Sequence, residues 1–228
     1  AWQQLADFTA DAAHELRSPL AALRLQVQSL QRAGTDEARA VASGRLLAGV
    51  DRATRLVEQL LALARHDADT RVAAVAVDLA ALARQAVLGG AAEAQARGIR
   101  LEEAGDAPVL VHGQPDALAV LLRNLLDNAL RHTPEGGTVR VQAGQGAGGG
   151  AELAVEDSGP GIPPAERQRV LDRFYRVPGA PGHGSGLGLA IAQAVARRHG
   201  AQLRVQDSPG LGGARLVVAW PAASHPPV

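Results

Sequence analysis

Apolar residues recur at helical spacing through the first third of the chain. Leu5, Phe8, Ala12, Leu16, Leu20, Leu23, Val27 and Leu30 follow at steps of three and four, which predicts one helix over residues 2–33. From Leu16 to Leu30 the steps alternate four and three, the spacing of a helix-bundle seam. Gly34-Thr35-Asp36-Glu37 breaks the pattern. Gly34 suits the position just past a helix end, and Thr35 or Asp36 can cap the next helix. Residues 37–66 predict a second helix with two stripes. One stripe is Leu47, Val50, Thr54, Val57 and Leu61; the other is Leu46, Ala53, Leu56, Leu60 and Leu63. So broad an apolar face contacts two neighbours. A lone hairpin cannot cover both stripes, so pairing with a second copy into a four-helix bundle is expected.

After residue 66 the pattern changes. Residues 67–77 read as a linker that turns from polar to apolar and enters a strand. Asp78–Arg97 predicts a helix ended by Gly98, followed by short strands at Ile99–Leu101 and Val109–Val111. Gln114–His132 predicts an apolar helix with Pro115 in its first turn. Val139–Val141 and Leu153–Val155 read as a hairpin around the Gly-rich stretch 144–150, which carries no motif of its own. Residues 158–184, rich in Gly and Pro, read as loop with one short helix near 164–171. Leu187–His199 predicts a helix stopped by Gly200, and Leu203–Val205 and Arg215–Ala219 close the chain as strands. Strands mixed with three helices predict one sheet with helices on one face. The organisation read from the pattern is a helical hairpin over 1–68, an α/β domain over 69–222 and a disordered tail over 223–228.

Composition narrows the chemistry. The 228 residues carry a net charge of 0 and 46% hydrophobic residues, enough for a sizeable core without a basic face for nucleic acid. There is no Cys, which excludes disulfides, zinc–thiolate sites and cysteine nucleophiles. Every basic residue is Arg, so a Walker-A phosphate loop and lysine Schiff-base chemistry are closed as well. No run approaches the ~18 apolar residues of a membrane span. The chain opens on Ala1 and contains no Met, which reads as a portion of a longer protein.

Four stretches carry candidate chemistry. The first is His14-Glu15-Leu16-Arg17-Ser18-Pro19. His14 lies roughly 200° around the helix from Leu16, so it points away from the seam, and Pro19 should kink the helix just after it. We read that kink as a device for presenting His14; a surface His-Glu pair is otherwise a solvated face. The second is Asn124, Asn128 and Arg131, which share one helix face. It is either an ordinary polar face or two amide oxygens for a hard cation with an Arg for phosphate. In the third, Asp157-Ser158-Gly159-Pro160-Gly161, a strand-end carboxylate could accept a hydrogen bond from an exocyclic amine, or the glycines could make only a turn. The fourth is Gly184-Ser185-Gly186-Leu187-Gly188, which opens a helix whose N-terminus attracts phosphate.

In this order the stretches resemble the N, G1 and G2 boxes of the ATP-binding domain shared by histidine kinases, DNA gyrase B, Hsp90 and MutL. Arg173-Phe174-Tyr175-Arg176 resembles the histidine-kinase F box, and the stretch around His14 resembles the H box of the dimerisation and phosphotransfer domain. The resemblance covers residues 5 to 221. It implies an α+β chain: a hairpin that forms a four-helix bundle on dimerisation, then an α/β sandwich that binds ATP. It is that of the cytoplasmic portion of a bacterial inner-membrane sensor kinase, joined to the membrane through a segment outside this sequence.

By that resemblance His14 accepts the phosphoryl group, Glu15 acts as general base, and Ser18 stands where many relatives have Thr or Asn for dephosphorylating the partner regulator. Asn128, with Asn124 beside it, would hold Mg²⁺. Related ATPases carry Glu where Asn124 stands, so side-chain transfer is favoured over hydrolysis. Arg131 would clamp phosphate, and His132 replaces a common Tyr near the nucleotide. Asp157 would bind the adenine amine, with Gly159 and Gly161 beside it. Residues 158–185 would form a lid, with Arg173 or Arg176 stabilising the transferring phosphoryl group and Phe174 and Tyr175 docking the lid. Gly184, Ser185, Gly186, Leu187 and Gly188 would approach the phosphates. Gly210-Leu211-Gly212-Gly213-Ala214 resembles a last glycine box that lacks its usual hydroxyl residue, which should weaken one pocket contact. His66, His112, His199 and His225 read as structural or solvent-exposed, and His183 falls in the lid.

The expected partners are a second copy and a response-regulator receiver domain, with no nucleic acid. Two other functions fit parts of the pattern: an ATPase of the gyrase, Hsp90 or MutL kind, opposed by the H box and Asn124, and a pseudokinase scaffold, opposed by the intact Asn128, Asp157 and glycine loop.

Overall fold

A computed structural model of the chain describes residues 20–66, 74–105, 107–146, 148–178 and 185–222. His14, Glu15, Ser18, Pro19, His183, Gly184 and the 223–228 tail lie outside these residues. The chain divides into two compact units, Ala1–Ala68 and Asp69–Val228.

In the first unit, residues 20–31 form helix α1 and Asp36–His66 form α2. Thr35 is the cap: its hydroxyl accepts the Ala38 N–H at 3.2 Å. Asp36 and Glu37 in the first turn complement the helix dipole. Gly34 does not take the left-handed end position expected for it; α1 closes instead with a tight bond from the Ala33 N–H to the Leu30 carbonyl at 3.3 Å. The two stripes of α2 part here. Gly49 is buried, and a Cβ there would lie 2.9 Å from Leu23 Cδ2 and closer still to Gln26 Oε1, so the two helices approach along this line. Leu46 and Ala53 share that side of α2. The other stripe stays uncovered: Leu47 is 63% exposed and Val50 44%, as are Leu20 and Val27 of the α1 seam at 59% and 40%.

The second unit begins with β1 (Val75–Asp78), α3 (Leu79–Ala96), β2 (Arg100–Ala104), β3 (Leu110–Gly113) and α4 (Pro115–His132). It continues with β4 (Thr138–Gln145), β5 (Ala151–Asp157), α5 (Gly188–Arg198), β6 (Gln202–Asp207) and β7 (Ala214–Ala219). The expected single sheet is in fact two. β2-β4-β5-β7-β6 form a mixed five-stranded sheet, and β1 pairs separately with β3. Asp78 explains the split. Its Oδ1 caps α3 through the Ala80 N–H and also accepts the Val109 N–H, both at 3.0 Å. The start of α3 is thereby tied to the entry of β3, which draws both short strands off the main sheet. The short helix expected near 164–171 is two 3-10 turns, Pro164–Glu166 and Arg169–Leu171. Pro163 and Pro164 lack the amide donors that would extend the first turn backward.

Strand alternation sorts the main sheet into two faces. Val139, Val141, Leu153, Val155, Leu216 and Val218 are fully buried, and α3, α4 and α5 pack on the sheet. Residues of opposite parity form ion pairs, Arg140–Glu102 at 3.0 Å and Arg215–Glu152 at 2.6 Å. Helices on one face are as expected. Among the described residues no helix is long and apolar enough to cross a membrane.

Candidate functional site

The site lies where α4, the end of β5 and the start of α5 meet. Asn124 is buried within α4, and its amide Nδ2 donates to the Val120 carbonyl at 2.8 Å. A Cβ on Gly188 would sit 3.2 Å from Asn124 Oδ1, so the first residue of α5 lies directly against this side chain. Asn128, one turn on, is half-buried and takes no hydrogen bond from the described residues. Arg131 is exposed, and its carbonyl accepts from Arg97 at 3.1 Å. His132 ends the helix half-buried.

Asp157 ends β5 and is 2% exposed. Two backbone N–H groups converge on its Oδ1, from Gly159 at 2.9 Å and Ala214 at 3.1 Å. Among the described residues, Oδ2 is left for a ligand donor. Burial holds the Asp157 carboxyl above the usual carboxylate range, outweighing the Ala214 and Gly159 amides. Burial, aided by the neighbouring Arg131 charge, holds His132 below the ordinary histidine value.

The glycines make these approaches possible. A Cβ on Gly159 would come 2.6 Å from the His132 carbonyl oxygen, which fixes the turn after β5 against the last turn of α4. A Cβ on Gly213 would collide with both the carbonyl oxygen and Oδ1 of Asp157. In sequence this last glycine cluster stands out only for its missing hydroxyl residue. The structure adds Gly213 and Ala214 to the site through their backbone, and the Gly-Gly-Ala run was the available signal. Gly161 takes left-handed backbone at φ 74°.

Ser185 accepts the Leu187 N–H on its hydroxyl at 3.3 Å, and Leu187 is fully buried. α5 then starts with no side-chain hydrogen bond at its cap, leaving first-turn N–H groups for an anion. Gly186 also lets the backbone pass close to Phe174. Its φ is 67°, and a Cβ would lie 2.6 Å from the Phe174 carbonyl carbon. Phe174 is the only described non-glycine residue with positive φ. Tyr175 hydrogen-bonds Glu166 through its hydroxyl, with the Arg169 guanidinium 4.3 Å from its ring. Arg173 and Arg176 are exposed. The structure thus pairs Asn124 with Gly188, Asp157 with Gly159, Leu187 with Ser185 and Gly186 with Phe174; His14, Glu15, Ser18 and Gly184 lie outside the described residues.

Residues 113–224 match the family described as histidine kinase-, DNA gyrase B- and HSP90-like ATPases, and residues 4–69 match the His kinase A phospho-acceptor domain. The chain is 31% identical to the solved cytoplasmic segment of histidine kinase QseC, covering 75% of this chain and 93% of that one at a TM-score of 0.53. The chain belongs to the sensor histidine kinase family. The sensor protein QseC of Salmonella typhimurium strain LT2 is 43% identical over 216 residues, 93% of this kinase chain. The chain spans 47% of that relative's length. The solved ATP-binding domain of PrrB from Mycobacterium tuberculosis is 30% identical with a TM-score of 0.54, covering 67% of this chain and all of that domain. The second unit is therefore an ATP-binding domain, with three helices on one face of its five-stranded sheet.

Proposed function

We propose that this chain is the catalytic core of a two-component sensor: it transfers the γ-phosphoryl group of ATP to His14 and then to an aspartate of a response-regulator receiver domain. The observation that carries the reading is Gly188, at the start of α5, packed against Asn124 of α4, with Asp157 at the end of β5 bonded to Gly159, which lies against the last turn of the same helix, in a chain that also holds the His14-Glu15 pair. Asp157 Oδ2 would accept the adenine amine while Oδ1 stays fixed by two amides. The first turn of α5 and the Arg131 guanidinium would bind phosphate oxygens, and Arg173 or Arg176 would stabilise the transferring group.

The donor set also fits Mg²⁺. Among the described residues no cluster of three His, Cys, Asp or Glu could hold a metal. The free Asn128 amide beside Asn124 instead offers the oxygen ligands a hard cation takes together with phosphates and water. Bound there, the cation would neutralise charge on the β- and γ-phosphates. In the transfer, one His14 nitrogen attacks the γ-phosphorus as Glu15 accepts the proton from the other. The bond from phosphorus to the bridging oxygen breaks, and ADP leaves. Asn124 cannot take a proton from water, which supports transfer to a side chain over hydrolysis. Ser18 keeps a hydroxyl for orienting water on the phosphorylated regulator, so we include regulator dephosphorylation. The exposed stripes of α1 and α2 support a homodimer. By the likeness to a cytoplasmic segment, we place the chain on the cytoplasmic side of a bacterial inner-membrane sensor.

Incubation with γ-labelled ATP and Mg²⁺ tests the reading. Acid-labile, base-stable label on the protein, lost in His14→Ala, is expected. Phosphate release without protein labelling would make the chain an ATPase, and no nucleotide binding would make it a scaffold.

A further inference from the structure

ATP binding draws on side chains of α4 and on the first turn of α5, so the two helices must hold one register. We infer that His199 sets that register and is a positioning residue for nucleotide binding, an inference that rests on the ATP-binding reading of the site. His199 follows the last turn of α5. Its Nδ1 lies 2.8 Å from the Val195 carbonyl oxygen, and its Nε2 accepts the Gln114 N–H at 3.0 Å. A carbonyl only accepts and an amide N–H only donates, so Nδ1 carries the proton and Nε2 the lone pair. One ring thus joins the end of α5 to the residue that starts α4.

The surroundings are shaped for that ring. Gln114 stands at the N-cap of α4 without a side-chain bond to the helix's first amides, and the imidazole takes up its backbone N–H. β3 ends at Gly113, where a Cβ would lie 2.6 Å from His199 Cδ2 and 2.9 Å from Leu118 Cδ1. A side chain there would push the ring away from Gln114.

The other end of the helix pair is fixed where Gly188 abuts Asn124. Ten residue steps separate Gln114 from Asn124, and eleven separate Gly188 from His199. At 1.5 Å per residue, both spans are about 15–17 Å. Two antiparallel helices held at two rungs of matching spacing cannot slide past one another while both rungs survive. Losing the His199 rung frees α5 to shift along α4 and carries Gly188 away from the amide face that Asn124 and Asn128 present to the nucleotide.

The test compares His199→Leu, His199→Gln and Gly113→Ala with the wild-type chain. ATP KM and kcat for autophosphorylation are measured, with thermal melts to confirm folding. His199→Leu is expected to raise KM roughly three- to tenfold, the scale of one lost hydrogen bond, with kcat little changed. Gly113→Ala should do the same without removing the ring. His199→Gln, whose amide oxygen can accept from Gln114, should recover most of the affinity. A wild-type KM in folded His199→Leu, or a Gln variant no better than Leu, would overturn the inference. A wild-type chain that binds no ATP would overturn the nucleotide reading instead. Backbone amide shifts of Asn124 and Gly188 in His199→Leu would then still test the register, and unchanged shifts would sink it.

Discussion

Phe174 donates its amide to the Gly186 carbonyl at 3.0 Å, and both residues hold left-handed backbone, at φ 63° and 67°. The bond closes the neck of the segment between the F box and α5. Left-handed backbone costs a residue with a side chain about 1–2 kcal/mol, so Phe174 stores strain that this contact must hold in place.

Gly186→Ala should open that neck. The new Cβ would strike the Phe174 backbone at 2.6 Å and face the same left-handed penalty. Nucleotide affinity should fall by on the order of tenfold, measured by calorimetric titration with ADP. The melting temperature should fall as well.

Asp157→Asn should remove the acceptor for the adenine amine and abolish measurable ATP binding, while the backbone bonds from Gly159 and Ala214 still reach the amide oxygen and keep the fold. Acidification of the wild type should weaken binding by the same route. Because burial raises the Asp157 pKa, its acceptor is lost at a higher pH than an ordinary carboxylate would lose it. The stability effect runs the other way: the cost of burying the charge is absent below the unfolded pKa and complete above the folded one. Nucleotide titrations across mildly acidic pH check the first effect, and melts the second.

His132 gives the opposing trend. Its folded pKa is lowered, so the unfolded chain takes up a proton first as pH falls. Stability should therefore drop from the free-histidine value down to the lowered folded one. His132→Gln should flatten that part of the stability profile, and a histidine NMR titration should place the His132 midpoint below that of an exposed histidine.

The uncovered stripe of α2 should be a dimer interface. Burying one leucine-sized side chain is worth about 1.5–3 kcal/mol. Leu47→Glu with Val50→Glu should therefore weaken self-association by on the order of a hundredfold or more. Sedimentation velocity across concentration reads this directly, and a double variant that associates like the wild type would remove the bundle from the reading.

Much of this protein is written in local pattern. The steps from Leu20 to Leu30, the Thr35 cap, Pro115 in the first turn of α4 and the glycines after α3 and α5 each act within one or two turns of chain, so the sequence shows them. Asn124, Asn128, Asp157 and Gly188 stand out as candidates in the sequence because their order resembles that of a known family's nucleotide boxes.

Tertiary structure decided what depends on residues far apart in sequence. Which α2 stripe meets α1 rests on Gly49 lying against Leu23 and Gln26. The separation of β1 and β3 from the main sheet rests on Asp78 reaching Val109. His199 reads only as structural or solvent-exposed until its ring is seen bonded to Gln114, and nothing in the sequence pairs Gly186 with Phe174. Propensity and periodicity act along the chain, whereas these contacts follow from packing and hydrogen-bond satisfaction between segments that only the fold brings together.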